Sequence, residues 1–554
     1  MNTNTTLSKG SWIQLNQRQA ARTAMLLLLL LAVPAVAQAQ FTYTTNNGTI
    51  TITGYTGPGG TVAIPSTING LPVTSVGGFY DTSSMHEYWG AFQGNQSLTA
   101  VTIPDSVTSI GTAAFASCSS LTSIVVPDSV TSIGDRAFSA CTSLTNVIIG
   151  NHVTYIGYSA FWSCPLTSIT IPNCVTSIGR EAFEDCGLTS VTIGSGLGSI
   201  GNDAFLNCRN LMMFTVDAAN AFYSSVDGVL LDKNQIMLIQ CPGGKAGNVT
   251  IPGSVTTIRD SAFYQCVSLT SVAIPSSVTS IGSQAFQSCI SLASVTMGNS
   301  VTNIGMQAFN FCIVLTNLTI PNSVASIGYW AFGSCTSLTS LAIPNSVISI
   351  GDWAFDSCFS LTNLRIGNGV TSIGIFALND CHSLTNLTIG KSVTDIGEGA
   401  FYACSSLTGV IIPSGVVTID SAAFESCTSL TGVYFQGNAP AVALNSFTGD
   451  TNATVYYLPG TTGWGTTFGG LPTALWFLQN PLILSAPSFG VQSNGFGFII
   501  SWATNIPVVV EACTNLANHS WSPVSTNPLT DGWSYFSDPR WTNYHARFYR
   551  LRSP

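Results

Sequence analysis

The 554-residue sequence predicts a β-rich solenoid, in which one repeated unit stacks into ladders of short parallel strands. An Ala-Phe pair, Ala-Leu in one copy, recurs fourteen times at spacings of 22 or 23 residues with a single gap. Each copy also carries a constant set of apolar positions, and a Pro and a Gly separate its two short extended segments. Because so short a unit cannot bury its own apolar side, neighbouring copies must stack. The fourteen copies are marked by Phe92, Phe115, Phe138, Phe161, Phe183, Phe205, Phe263, Phe286, Phe309, Phe332, Phe355, Leu378, Phe401 and Phe424.

The unit at 337–359 shows the repeat most clearly. Leu338, Leu341 and Ile343 follow the order Leu-x-x-Leu-x-Ile, which at a period of about 20 to 29 residues is typical of a leucine-rich repeat. Within the unit at 121–141 we expect a strand, a shorter extended piece and a brief helical turn at 137–141. The fold class is therefore a parallel leucine-rich-repeat stack of period 23, with β caps and a small C-terminal β-sandwich-like module.

Residues 1–39 have the pattern of a signal peptide. Three basic residues precede an apolar run at 24–33, and small residues follow it at the expected cleavage positions. An uncleaved anchor is the alternative, but this run is shorter than the roughly 20 residues that a spanning helix needs. We expect cleavage, no membrane span in the mature chain, and a secreted or cell-surface location.

The repeats are expected to lie between two caps. Residues 40–76 alternate β-forming residues with Asn-Gly and Pro-Gly-Gly turns, which predicts an N-terminal β cap. The solenoid is predicted at 77–436, with insertions near 78–90 and 209–250, and the second insertion has the pattern of a β-hairpin. Residues 437–475 are predicted to form the C-terminal cap.

Residues 476–554 differ in composition from the repeats and predict the β-sandwich-like module. Separated β-rich runs indicate strands, and the aromatic residues between them are candidates for its core. Those candidates are Trp502, Trp521, Trp533 and Trp541.

The repeat itself resembles a known family. Residues 266–289 read Cys-Val-Ser-Leu-Thr-Ser-Val-Ala-Ile-Pro-Ser-Ser-Val-Thr-Ser-Ile-Gly-Ser-Gln-Ala-Phe-Gln-Ser-Cys, which is similar to the BspA-like leucine-rich repeat family of bacterial secreted and cell-surface proteins. The resemblance covers about 41–475 and implies a surface binding protein, often linked to adhesion, with no catalytic residues to transfer. Arg259, Leu378 and Asp420 depart from the pattern and should each disturb one unit without ending the stack.

Charge and residue spacing exclude several kinds of partner. Only 7% of residues are charged and the net charge is −9, so the basic surface that nucleic acids require is missing from the sequence. The five histidines share no spacing typical of zinc ligands. We therefore expect no nucleic acid, no metal and no cofactor.

Thirteen of the sixteen cysteines follow the marker Phe or Leu by three residues, so they form one column. A buried thiol behaves as a small apolar group, and we expect this column to be internal, reduced and inert. Disulfides between neighbouring units remain open as an alternative, because strands about 4.8 Å apart lie within disulfide reach. The column contains Cys118, Cys141, Cys164, Cys186, Cys208, Cys266, Cys289, Cys312, Cys335, Cys358, Cys381, Cys404 and Cys427.

A run of aromatic residues is the candidate binding site. The residue before the Ala-Phe or Ala-Leu pair is Trp330, Trp353 and Phe376 in three consecutive units, with Tyr329 beside the first. The other copies carry small or polar residues there, so we expect the rings to emerge about 5 Å apart and to contact a protein or glycan partner. Alternatively, the rings pack on each other or on the next unit.

Threonines form two further regular columns on the predicted strands. The even spacing of their hydroxyls has two interpretations. Either the column forms a face that binds a crystalline surface, or it reflects the ordinary preference of Thr for exposed strand positions. The first column includes Thr131, Thr154, Thr176, Thr256, Thr279, Thr302, Thr371 and Thr394, and the second Thr170, Thr192, Thr296, Thr319 and Thr388.

The predicted function is a secreted or cell-surface leucine-rich repeat protein for protein recognition or adhesion, without catalysis. A glycan-binding surface protein is one alternative. A hydrolase is the other, with a site in the 78–90 insertion, where His86 and Glu87 are adjacent, or in the C-terminal module. The sequence does not indicate an oligomeric state.

Overall fold

The structure is a computed structural model that describes residues 40–80, 88–476, 482–484, 489–493, 495–502, 507–518, 520–529 and 533–552. The described residues up to Asn234, together with Gln240–Lys245, form one compact unit; Gln235–Ile239 and the described residues from Ala246 onward form the second. Each unit contains a parallel β solenoid with a period of about 23 residues, which confirms the predicted fold class. We call one turn of the solenoid a coil, and each coil has a long strand, a short strand and a turn side.

The short strands of the first unit form one nine-stranded sheet. Its first two strands are antiparallel, and the parallel ladder then runs from Thr49–Tyr55 onward, so the segment predicted as a cap already supplies parallel strands. The sheet consists of Phe41–Asn46, Thr49–Tyr55, Thr67–Ile68, Leu71–Val76, Ser109–Ile110, Ser132–Ile133, Tyr155–Ile156, Ser177–Ile178 and Ser199–Ile200.

The long strands of the first unit form three shorter ladders. These are Gly60–Ala63 with Leu98–Thr102, Ser123–Val125 with Asn146–Ile148, and Ser168–Ile171 with Ser190–Ile193 and Met213–Val216. The hairpin predicted near 209–250 is present as antiparallel Tyr223–Val226 and Val229–Asp232. The ends of the other insertion pair as Phe79–Tyr80 with Tyr88–Trp89.

The second unit repeats this arrangement. Its short strands are Met237–Gln240, Thr257–Ile258, Ser280–Ile281, Asn303–Ile304, Ser326–Ile327, Ser349–Ile350, Ser372–Ile373, Asp395–Ile396, Thr418–Ile419 and Ala441–Val442. Its long strands are Gly247–Thr250, Leu269–Ala273, Ser294–Thr296, Asn317–Leu318, Ser340–Ala342, Asn363–Arg365, Asn386–Thr388, Gly409–Ile412, Gly432–Phe435, Thr454–Tyr457 and Leu471–Leu475, with Thr467–Phe468 antiparallel to the last.

The segment predicted as the C-terminal cap is built from further coils. Thr454–Tyr457 and Leu471–Leu475 extend the parallel ladder. The Phe447 ring stacks on Phe424 at a centroid distance of 5.4 Å. Phe447 therefore marks one more coil, which the sequence pattern missed because Ser446 stands where the other copies have Ala.

The described residues of the C-terminal module form two antiparallel sheets and two short 3-10 helices. One sheet contains Leu482–Leu484, Gly490–Gln492, Gly495–Ser501 and Trp533–Asp538. The other sheet contains Val508–Cys513, Ser522–Asn527 and Phe548–Arg552. The helices are Leu516–Asn518 and Trp541–Asn543. Phe498, Val510 and Phe536 lie in its buried core, and Trp502 packs against them. Trp533 was wrongly predicted as core. It is the first residue of the strand Trp533–Asp538, and it is 40% exposed.

The interior of the solenoid is a stack of phenylalanine rings. In the first unit the rings from Phe92 to Phe205 stack at centroid distances of 5.0–5.4 Å. In the second unit Leu378 takes the place of one ring and is fully buried. Arg259 and Asp420 each keep the amide hydrogen bond to the preceding coil that Gly makes elsewhere, at 3.0 Å. The three departures therefore leave the stack intact, as expected.

Candidate functional site

The turn side of each coil is a pair of tight turns and not the helical turn that the sequence predicted. Arg136, Phe138 and Ala140 donate their amide hydrogens to carbonyls of the next coil at 2.7–2.8 Å. Ala137 and Ser139 between them donate within their own coil, at 3.2 and 3.0 Å. An α-helix would satisfy all these amides internally, so the alternating pattern links the coils at the expense of the helix.

In the thirteen coils marked by Phe115 to Phe424, two residues of the turn side adopt the left-handed backbone conformation. One precedes the Ala-Phe pair and the other follows its Phe by two residues. This conformation costs a residue with a Cβ roughly 1–2 kcal/mol. The first set comprises Ala113, Arg136, Ser159, Glu181, Asp203, Ser261, Gln284, Gln307, Trp330, Trp353, Phe376, Gly399 and Ala422, with φ of 47–60°.

Trp330, Trp353 and Phe376 belong to this left-handed set, and we call them, together with Tyr329, the aromatic strip. The Trp330 and Trp353 ring centroids are 5.7 Å apart, and those of Trp353 and Phe376 are 4.5 Å apart. The interplanar angles are 31° and 25°, so the rings largely face one another. All three side chains are half-buried, whereas Tyr329 is 44% exposed.

Two glycines make room for the ends of the aromatic strip. A Cβ on Gly399 would collide with the Phe376 ring, which therefore leans over the next coil. A Cβ on Gly333 would lie 3.1 Å from the Trp330 ring. The rings thus pack on one another and on the next coil, as the alternative interpretation expected, and the indole Nε1 of Trp330 is buried without a hydrogen-bond partner among the described residues.

Exposed apolar side chains continue the aromatic strip outward. Met306 and Ile375, which occupy the same position in their coils as Tyr329, are 44% and 42% exposed. In the coil between those of Tyr329 and Ile375, the equivalent residue is Asp352, whose Oδ1 accepts the amide hydrogen of Ile375 at 2.8 Å. The aromatic strip and these neighbours form an apolar surface on the turn side of the second unit, interrupted by Asp352.

The repeat pattern has a counterpart among known proteins. Segments 88–220, 243–360 and 326–454 match the family described as BspA type Leucine rich repeat region, and together they span more than half of the chain. The chain belongs to this family.

Several solved leucine-rich repeat structures are similar to this chain. A leucine rich cell surface protein from Faecalibacterium prausnitzii is 31% identical over 59% of this chain and 93% of its own, with a TM-score of 0.48. A leucine-rich repeat protein from Bacteroides ovatus is 27% identical over 75% and 93%, with a TM-score of 0.48. One from Eubacterium ventriosum is 22% identical over 76% and 94%, with a TM-score of 0.43. No curated protein matches the chain.

The first threonine column of this BspA-type chain connects neighbouring coils. Thr131, Thr154 and Thr279 donate their hydroxyl hydrogens to the backbone carbonyl one coil earlier, at 3.1–3.2 Å. Because these hydroxyl donors are already used within the protein, the column has a structural role, and we do not assign it to the binding of a crystalline surface. Sequence spacing showed the column, but not the direction of its hydroxyls.

The remaining candidate chemistry of the BspA-type chain is limited. His86 and Glu87 lie outside the described residues. Within the part that the structure describes, no group of three or more His, Cys, Asp or Glu side chains is arranged to hold a metal ion. Across the same residues, no helix has the length and apolar character needed to cross a membrane.

Proposed function

We propose that this protein is a secreted or cell-surface, non-catalytic recognition or adhesion protein whose aromatic strip contacts a protein partner. The predicted signal peptide and the resemblance of the repeat to bacterial surface proteins support the location. Membership in a family of leucine-rich repeat proteins supports binding as the activity.

The aromatic strip carries the proposal. Its three left-handed positions hold large rings, although the equivalent positions in the other coils hold Gly, Ala, Ser, Asp, Glu, Gln or Arg. A large aromatic residue there is not required by the fold, because ten other coils form without one. Trp and Tyr side chains are enriched where protein interfaces are strongest.

The orientation of the rings favours a protein over a glycan. A sugar stacks on the open face of an aromatic ring, but the faces of Trp353 are occupied by Trp330 on one side and Phe376 on the other. The exposed apolar side chains beside these rings are Met306, Tyr329 and Ile375. Such an irregular apolar surface suits the side chains of another protein.

The test is a pair of matched variants. Trp330→Gln combined with Trp353→Gln installs the side chain that Gln284 and Gln307 already use at this left-handed position. Loss of two stacked pairs at about 0.5–1.5 kcal/mol each should lower the melting temperature by only a few degrees. We expect proteins captured from the native environment by the wild type to be lost with the double variant and retained with Gln307→Ala.

A glycan array is the second arm of the experiment. Capture of the same proteins by the wild type and the double variant would contradict the proposal. So would glycan binding that the double variant abolishes, because that result would assign the aromatic strip to sugars. A fall in melting temperature far beyond a few degrees would show that the rings are structural.

A further inference from the structure

The long-strand face of the solenoid is almost uncharged. In the described long strands, the outward residues are Ser, Thr, Asn, Ala, Gly and apolar or aromatic side chains. The one charged side chain among these described strands is Arg365, which is exposed at the end of Asn363–Arg365. A solvated surface arginine is the ordinary explanation, so its surroundings decide whether it has a role.

Arg365 lies on the central strand of a separate three-stranded ladder. Its Cα partners are Ala342 on one side and Thr388 on the other. No ion pair to Arg365 occurs among the residues that the structure describes. Its charge is therefore not compensated by the neighbouring strands.

A shallow groove surrounds this arginine. The groove has a volume of about 390 Å³, and Leu318, Asn363, Arg365, Asn386 and Thr388 contribute to its lining. It lies where the long-strand ladder is interrupted, because Asn317–Leu318 ends one ladder and Ser340–Ala342 begins the next.

The amides beside Arg365 are held by hydrogen bonds. Asn386 donates from Nδ2 to Asn363 Oδ1 at 2.6 Å, and Asn363 donates from Nδ2 to Thr362 Oγ1 at 2.9 Å. These neutral groups fix the polar floor of the groove without neutralising the guanidinium. A ligand there meets one positive charge among oriented amides.

We propose that this groove binds a protein partner through an Asp or Glu side chain, whose carboxylate pairs with Arg365. A guanidinium offers two parallel N–H donors that match a carboxylate. Because Arg365 is the one charged side chain of the described long strands, it fixes where on this face such a contact forms. This surface is separate from the aromatic strip, and the inference does not depend on it.

The test uses an array of 12-residue peptides with blocked termini and no other ionisable side chain, each synthesised with Glu and with Gln at its centre. We expect the full-length wild type to bind a subset of the Glu peptides at least tenfold more tightly than their Gln partners. Arg365→Gln should remove that preference, and Arg365→Lys should keep only part of it, because Lys lacks the paired donors.

The matched control is Lys391→Gln, which removes the same charge from an exposed turn after Asn386–Thr388. We expect this variant to keep the preference for Glu. If no peptide pair shows a preference for Glu, or if Arg365→Gln and Lys391→Gln reduce it equally, the proposal is wrong. Comparison of the circular dichroism spectra of the variants with the wild type excludes misfolding as the cause.

Discussion

At the scale of single residues, the column cysteines act as hydrogen-bond donors as well as small apolar groups. The Sγ of Cys141 donates to the carbonyl of Phe115, and that of Cys335 to the carbonyl of Phe309, at 3.1 and 3.3 Å. Burial raises the pKa of Cys335 to about 12. All sixteen cysteines are free in the structure, and the thirteen of the column are buried. Because the thiolate is the reactive form, the column should be inert.

Cysteine alkylation tests this description. In the native protein we expect Cys174, which is only half-buried, to react first, whereas the column cysteines should react only after unfolding. Cys174→Ser should remove the fast phase. Column cysteines that escape labelling in denatured, unreduced protein would instead reveal disulfides between coils.

Asp450 replaces the cysteine in the last coil of the column. It follows Phe447 by three residues, as Cys427 follows Phe424, and its side chain is almost fully buried. Burial raises the pKa of Asp450 from 3.8 to about 7; the Glu425 charge adds to the shift, and the backbone of Cys427 opposes it. The folded protein therefore prefers the protonated carboxyl.

This preference predicts a pH-dependent stability. The unfolded carboxyl loses its proton at lower pH than the folded one, so the stabilisation is complete below about pH 4 and lost as the pH rises to about 7. Relative to Asp450→Asn, the wild type should lose about 2 kcal/mol of unfolding free energy over this range, after allowance for partial screening by water. Urea denaturation at several pH values measures the difference.

Asp450→Cys is the control, because it restores the residue that the other coils use. Its stability relative to Asp450→Asn should not change across the same pH range. A wild-type curve parallel to both variants would show that Asp450 does not titrate on folding.

At the scale of the element, the left-handed residues set the shape of the turn side. Gly399 occupies this position in one coil without a Cβ, and Ala422 occupies it in the next with φ of 55°. The backbone is the same in both coils, so the Cβ of Ala422 adds steric cost that the fold does not need.

Ala422→Gly should therefore stabilise the protein by about 0.5–1 kcal/mol, because Gly adopts this backbone without a steric penalty. Ala423→Gly is the control: Ala423 is fully buried and is not left-handed, so the same change should destabilise the protein by about 1 kcal/mol. Chemical denaturation of both variants measures the two effects. Loss of stability in Ala422→Gly equal to that in Ala423→Gly would contradict the assigned backbone.

The turn side also shows where prediction from sequence stops. The period and the inward Leu, Val, Ile, Phe and Cys positions follow from a pattern that each coil repeats. The helical turn predicted at 137–141 was wrong because its amides alternate between partners in two coils, and hydrogen bonds across coils leave no periodic signal in one coil.

The position of the aromatic strip was visible in the sequence, but its packing was not. Trp330, Trp353 and Phe376 share a register, which fixed their spacing along the stack. The half-burial of the rings depends on which way each ring leans. Gly399 and Gly333, which lie outside the aromatic strip, leave the space next to the Phe376 and Trp330 rings. The binding role of these residues remains a prediction.

At the scale of the whole molecule, each coil of a stacked repeat contacts mainly its neighbours, so a local surface can vary without changing the fold. The aromatic strip occupies three consecutive coils. The backbone ladder continues through them, and the buried core column changes only by Leu378 in the third coil. We infer that the solenoid is the scaffold and that specificity lies in such local departures from the repeat.

Hydroxyl-radical footprinting of the full-length protein, with and without the captured partner, tests this most directly. Trp162 serves as an internal reference, because its side chain is 39% exposed and it lies in the first unit. We predict that oxidation of Trp330 and Trp353 slows severalfold in the complex while oxidation of Trp162 does not change. Unchanged oxidation of Trp330 and Trp353, with protection elsewhere on the chain, would contradict the account.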